Sequence, residues 1–122
     1  MKKKVLIVDD NANNLMLEKD LMDVAGFEVF VAENGSSAIA IARKEKPDII
    51  ILDVRMPDMD GHQVAGILRQ DKETLDIPIV FVTASVMAEE KEELKVITNS
   101  GFIGKPINTR TFAKEIRQFI KE

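Results

Sequence analysis

The stretch PDIIILD (Pro47–Asp53) decides the fold. Four consecutive apolar residues, Ile49–Leu52, stand between a Pro-Asp pair and an aspartate. The run is too short for a buried helix and too uniformly apolar for a strand with one wet face. It reads as a strand buried on both faces, the kind found in parallel sheets covered by helices on either side. Val5–Val8 and Ile79–Val82 read the same way. Glu28–Val31 and Phe102–Ile103 are weaker strand candidates.

Helical periods fill the intervals. Leu17, Leu21 and Val24 recur at helical spacing, with Gly26 as a stop signal. Ala38, Ile41 and Ala42 form a second stripe, ended by Pro47, and Val64, Ile67 and Leu68 form a third after the Asp60-Gly61 turn. Val86–Ile97 reads as a charged, weakly amphipathic helix with few apolar anchors. Phe112, Ile116, Phe119 and Ile120 make the final stripe, with Asn108 or Thr109 as its N-cap. Strands alternating with helices imply right-handed crossovers and an α/β, doubly wound, three-layer sandwich.

Composition narrows the class. A chain of 122 residues suits one domain, and 45% hydrophobic content can fill one core. The absence of cysteine excludes a disulfide scaffold, a thiolate zinc site and a cysteine nucleophile, and fits a reducing compartment. No apolar run approaches the roughly 20 residues of a membrane span. The apolar stretch behind Lys2–Lys4 is too short for a secretory leader, so none is expected, and the basic run itself reads as a solvated end. A net charge of −4 argues against nucleic-acid binding by the whole surface. Neither a repeat nor a linker-like segment interrupts the pattern.

In open parallel sheets, ligands bind beyond the carboxyl ends of the strands. At those ends stand Asp9, Asp10 and Asn11, then Asp53, then Thr83, Ala84 and Ser85, then Lys105 and Pro106. Converging carboxylates repel one another, so their convergence calls for a reason. Helix capping accounts for Asp10 or Asn11. It does not account for Asp53, which a loop-like VRMP follows, and it leaves Lys105 without a role. Hard oxygen donors too few for a calcium cage suit magnesium, which needs one or two carboxylates and shares its shell with phosphate. A carboxylate such as Asp53 can accept a phosphoryl group. The Lys105 ammonium and the Thr83 hydroxyl would then face the phosphoryl oxygens, and the small Ala84 would leave the pocket open. His62, the single histidine, reads as an exposed surface residue, Asp58 and Asp60 as solvated turn formers, and Asn34-Gly35 as a turn ahead of a helix.

Four segments in order, KVLIVDDN (Lys4–Asn11), PDIIILDVRMPDMDG (Pro47–Gly61), PIVFVTA (Pro78–Ala84) and GFIGKP (Gly101–Pro106), resemble the receiver domain of two-component response regulators across essentially the whole chain. The resemblance implies one receiver domain over residues 1–122, with a flavodoxin-like (βα)5 fold and sheet order 2-1-3-4-5. It implies a phosphorelay switch, not an enzyme with substrate turnover. Asp53 resembles the phospho-acceptor, charged by a histidine kinase, a histidine phosphotransfer protein or a small phosphodonor. Asp10 resembles the direct Mg2+ ligand, Asp9 the acid that holds the ion through water, and Arg55 the residue that lends its backbone carbonyl. Thr83 and Lys105 resemble the phosphoryl contacts, and the Lys105-Pro106 bond is expected to be cis.

Thr83 and Phe102 are the implied switch pair. Phe102 stands where Tyr is more usual, and a plain core aromatic is its competing reading. Ser85 and the Arg55 side chain occupy positions that affect phosphoryl lifetime in the family. The Val86–Ile97 helix is the expected mobile element. The helix after Asn11 is the expected docking face for the phosphodonor. With no effector domain expected after the final helix, output would pass to a downstream target protein through the Val86–Ile97 helix, the Phe102 strand and the final helix. Neither nucleic acid nor membrane is an expected partner, and the cytoplasm is the expected location.

Three other functions fit less well. An aspartate-nucleophile phosphatase resembles D-x-D-x-T, and Val54-Arg55-Met56 after Asp53 lacks the second acid. A flavodoxin-type flavin module wants a neutral phosphate loop where Asp9 and Asp10 stand. A degenerate receiver that only binds protein would not need Asp53, Thr83 and Lys105.

Overall fold

The structure is a computed structural model and describes residues 2–56, 58–83 and 99–120. Strands β1 (Lys4–Val8), β2 (Glu28–Ala32), β3 (Ile49–Asp53), β4 (Ile79–Thr83) and β5 (Ser100–Gly104) form one parallel sheet. Its order is β2-β1-β3-β4-β5. Among the described residues the helices are α1 (Ala12–Val24), α2 (Gly35–Glu45), α3 (Gly61–Gln70) and α4 (Phe112–Phe119). This is the doubly wound sheet that the strand pattern implied, in the flavodoxin-like order that the family resemblance implied. The helix expected over Val86–Ile97, with Ala84 and Ser85 ahead of it, lies outside the described residues.

The uniformly apolar strands work as their composition requires. Successive side chains point to opposite faces. Leu6, Val8, Ile50, Leu52, Ile79 and Phe81 feed one core, shared with α2 and α3. Val5, Ile7, Ile49, Ile51, Val80, Val82 and Ile103 feed the other, shared with α1 and α4. Every residue of β3 and β4 is buried. β1 sits between β2 and β3, so the chain leaves β1 toward one edge and β3 toward the other. The switch point thus falls between Asp9, just past β1, and Asp53, the last residue of β3.

β5 is longer than its apolar content suggested because glycines flank Phe102-Ile103. Gly101 is one of them for a packing reason: a Cβ there would run into the Phe119 ring of α4.

Two helix readings are corrected. On α1 the buried residues are Leu15, Glu18 and Met22, while Leu17 is 42% and Val24 90% exposed. Both stripes have helical spacing; the sheet-facing one is set by where Asn11 starts the helix, and it carries a charged residue that disguised it. Val24→Lys is therefore expected to change stability by less than about 0.5 kcal/mol, as surface substitutions do, in a urea titration. At the other end of the chain, Asn108 does not cap α4 directly. Its Oδ1 accepts from the Arg110 N–H at 3.0 Å and shapes a preceding turn, and the helix starts after Thr111. Gly26 does stop α1, with φ of +93°.

Candidate functional site

The side-chain alternation that builds the α1/α4 core also builds the pocket. Asp9 continues the parity of Val5 and Ile7, Asp53 that of Ile49 and Ile51, and Lys105 that of Ile103. All three therefore emerge on one side of the sheet at its carboxyl edge. Lys105 Nζ lies 3.3 Å from Asp9 Oδ2 and 3.6 Å from Asp53 Oδ2. One carboxylate oxygen each from Asp9, Asp10 and Asp53 lies within 4.8 Å of the others. Asp9 is 1% exposed and Asp53 8%, whereas Asp10 faces solvent.

Backbone donors fix the acids. Asp9 Oδ1 accepts from the Asn11 N–H at 2.9 Å, and Asp53 Oδ1 accepts from the Arg55 N–H at 3.3 Å. Asn11 caps α1 through its Oδ1, which accepts from the Asn14 N–H at 3.1 Å. The cap expected of either Asp10 or Asn11 thus falls to Asn11 and leaves Asp10 without that duty. Gly61, the first residue of α3, brings that helix close behind Asp53. Its N–H donates to Val54 O at 2.7 Å, and a Cβ there would stand 2.6 Å from Asp53 O. No L side chain fits that approach without moving the acceptor strand.

The charges of the pocket shift one another's ionisation. Burial, and then the charge of Asp9, push the Asp53 carboxyl up to about 6, although Lys105 and the Arg55 N–H pull the other way. Burial would lower the Lys105 ammonium; the charges of Asp53 and Asp9 outweigh it and hold the group above its ordinary value. Lys105 pairs with both Asp9 and Asp53, while three carboxyl groups offer oxygens to one small volume. Asp9, Asp10 and Asp53 suit a hard divalent ion: they are oxygen donors of the right kind and number for Mg2+.

Thr83 ends β4, 7% exposed, and its carbonyl accepts from the Lys105 N–H at 2.9 Å. The Lys105-Pro106 peptide is cis, as expected. Phe102 is partly buried on the α2/α3 side, its ring 5.8 Å from that of Phe81. His62 is partly exposed beside Asp60, with Nε2 3.4 Å from Asp60 Oδ1. Asp58 is more than a turn former: its carboxylate accepts from the Gly35 and Ser36 N–H groups at 3.2 and 3.4 Å, which ties the loop after Asp53 to the start of α2. Those contacts hold the Asp58 carboxyl below its ordinary value.

Glu18 is the pocket residue that the sequence pattern did not single out. It is 3% exposed, and burial, reinforced by the charge of Asp9, pushes its carboxyl up to about 8. Its spacing from Leu15 and Met22 was the available signal. Beside it, Asn14, Leu17, Glu18, Lys105, Pro106 and Ile107 line a groove of about 320 Å³ between α1 and the segment after β5.

A family model described as the response regulator receiver domain matches residues 5–117. The polar-differentiation response regulator DivK of Brucella anthropi is 34% identical over 120 residues, with 98% of each chain covered. The Brucella ovis DivK is 33% identical with the same coverage. Among solved structures, the Vibrio cholerae chemotaxis protein CheY4 superposes with a TM-score of 0.93 at 32% identity, over 98% of this chain and all of that one. A response regulator from Chloroflexus aurantiacus superposes with a TM-score of 0.90 at 26% identity, over 98% of each chain. On the match over residues 5–117 and the identity to these relatives, the chain belongs to the response regulator receiver domain family, the switch modules of two-component signalling.

Proposed function

We propose that the whole chain, residues 1–122, is one receiver domain that accepts a phosphoryl group on Asp53 and passes the signal on by a change of surface. The observation that carries this reading is the Lys105 ammonium set between Asp9 and Asp53 at the switch point of the sheet. A structural ion pair needs one acid; this pocket gathers three acids whose oxygens share a small volume.

Asp10 and Asp53 would hold Mg2+ directly, Asp9 through water, and Arg55 through its backbone carbonyl. The ion, when bound, neutralises charge on the transferring phosphoryl oxygens. The chain's own groups do the rest. An Asp53 oxygen forms the new bond to phosphorus. The bond from phosphorus to the donor, a phosphohistidine nitrogen or the acetate oxygen of acetyl phosphate, breaks, and the donor leaves with that electron pair. Lys105 then moves its charge from the Asp53 carboxylate to the phosphoryl oxygens, and the Thr83 hydroxyl donates to another. Thr83 and Phe102 form the switch, which biases an equilibrium between two surfaces.

A histidine kinase or histidine phosphotransfer protein is the expected donor, docking on α1 beside the groove, and a downstream protein is the expected reader. Such a module works in the cytoplasm. The test is intact-mass analysis after incubation with Mg2+ and acetyl phosphate. One labile phosphoryl is expected on the native chain and none on Asp53→Asn or without Mg2+. No gain, or a gain that survives Asp53→Asn, rejects Asp53 as the acceptor.

A further inference from the structure

The Arg55 carbonyl can serve a metal only if the loop that carries it, residues 54–60, keeps its shape. The base of that loop is fastened at the acceptor strand. The Gly61 N–H donates to Val54 O at 2.7 Å, and the Arg55 N–H donates to Asp53 Oδ1 at 3.3 Å. Its far side is fastened to a different element, the start of α2. Asp58 Oδ1 accepts from the Gly35 N–H at 3.2 Å, and Oδ2 accepts from the Ser36 N–H at 3.4 Å.

Both amides belong to the first turn of α2, where N–H groups have no carbonyl partner within the helix. The N-cap, Asn34, takes the next one: its Oδ1 accepts from the Ser37 N–H at 2.9 Å. Asp58 therefore completes the cap of α2 from 23 residues away, at the helix end that favours a negative charge. Met59 adds an apolar contact at the same point. Gly35 leaves the space for it: a Cβ there would run into Met59 Cγ and stand 2.9 Å from Val64 Cγ2 of α3. Loop, α2 and α3 thus meet at Gly35. Asp58 itself is exposed, so hydrogen bonds and charge place it there, and burial does not.

We infer that Asp58 is a positioning residue for the metal-binding loop, which it clasps to the start of α2 so that Arg55 stays against Asp53. This rests on the reading of Asp9, Asp10, Asp53 and the Arg55 carbonyl as the Mg2+ site. A loop fixed before the ion arrives gives up less freedom when the ion binds. With the clasp open, the loop would be held at its base alone, and binding would have to order the rest.

The experiment is a Mg2+ titration of the 15N-labelled chain, following the amides of Asp9–Asn11 and Asp53–Arg55, with hydrogen exchange measured at Gly35 and Ser36. Asp58→Ala is expected to weaken Mg2+ binding about fivefold, less than the roughly 10- to 100-fold of groups that bond a ligand directly. Asp58→Asn loses the same charge but keeps an oxygen that accepts from Gly35, so it should stay within about twofold of the native chain. Comparing the two variants separates the clasp from the loss of an exposed charge. Coupling is reciprocal, so saturating Mg2+ should slow exchange at Gly35 and Ser36 in the native chain by the same factor, and leave it unchanged in Asp58→Ala. The spectra also report that each variant is folded. A residue that served α2 alone would change stability and leave Mg2+ affinity unmoved. A loss below about twofold in Asp58→Ala overturns the inference, as does an equal loss in Asp58→Asn, or exchange in the native chain that Mg2+ does not slow. If the native chain itself shows no Mg2+ shifts, the metal-site reading falls and Asp58 falls with it. If the native chain binds Mg2+ and Asp58→Ala binds equally, only the role of Asp58 falls.

Discussion

Asp53→Asn is expected to be more stable than the native chain by about 2 to 3 kcal/mol near neutral pH without divalent cations, and equal to it near pH 4. The sign follows from linkage. Asp53 titrates near 6 in the folded chain against an ordinary 3.8, so the folded state holds its proton more tightly. That tighter hold stabilises the fold below about pH 4, and the benefit is lost as pH rises through about 6. Above that range the native chain keeps a buried carboxylate ionised next to Asp9. A tenfold change in how tightly the folded state holds the proton corresponds to roughly 1.4 kcal/mol. Asparagine has nearly the same shape and no charge. The cost is what a binding site stores for its ligand: Mg2+ bound by Asp53 should narrow the gap between the two proteins.

The check is urea denaturation followed by circular dichroism, since the chain has no Trp or Tyr to report by fluorescence. Measurements at about pH 7.5 and pH 4, each with and without Mg2+, cover the window. A native chain more stable than Asp53→Asn near pH 7.5 without metal would contradict the strained pocket.

The legibility of this fold in the sequence has a physical limit that α1 and β3 illustrate. Ile49–Leu52 can be read because a strand buried on both faces admits only apolar residues, and no other element of that length shares the pattern. Asp53 stands out against it for the same reason. α1 could not be read correctly, because a helix of 13 residues with apolar side chains on several faces supports more than one stripe. Leu17, Leu21 and Val24 obey the period as well as Leu15 and Met22 do. The true stripe contains Glu18, and a charge on the core face is invisible to a rule that seeks apolar residues there. Burial and the charge of Asp9, nine residues earlier and past a strand end, both push its carboxyl toward the neutral form. Neighbours of that kind depend on tertiary structure alone. The loop after Asp53 behaves similarly: Asp58 bonds to Gly35 and Ser36, 23 and 22 residues away, and its neighbours in sequence give no hint of it.

Lys105→Met should show the opposite behaviour to Asp53→Asn, a loss of about 2 kcal/mol near neutral pH without divalent cations. Removing one partner of a fully buried charge pair costs about 3 to 5 kcal/mol, and partial exposure of the lysine reduces this. The Lys105 side chain is 21% exposed, against 2% and 10% for the side chains of Asp9 and Asp53. The ammonium is held above its ordinary value in the folded chain, so its contribution is fully present at neutral pH and is lost only as pH rises through that raised value. Methionine keeps the unbranched stem but takes the ammonium away from two buried acids, Asp9 and Asp53. Acidification should shrink the loss, because Asp53 takes up a proton as pH falls through its own raised range and then needs no counter-charge. Mg2+ should stabilise Lys105→Met more than it stabilises the native chain, because the ion supplies the missing charge. The double variant Asp53→Asn with Lys105→Met separates the pair from its surroundings. With Asp53 neutral, only Asp9 remains to miss the lysine, so the loss from Lys105→Met should fall to about 1 kcal/mol. An unchanged loss in that background would mean that Lys105 serves Asp9 alone and that its 3.6 Å approach to Asp53 carries no energy.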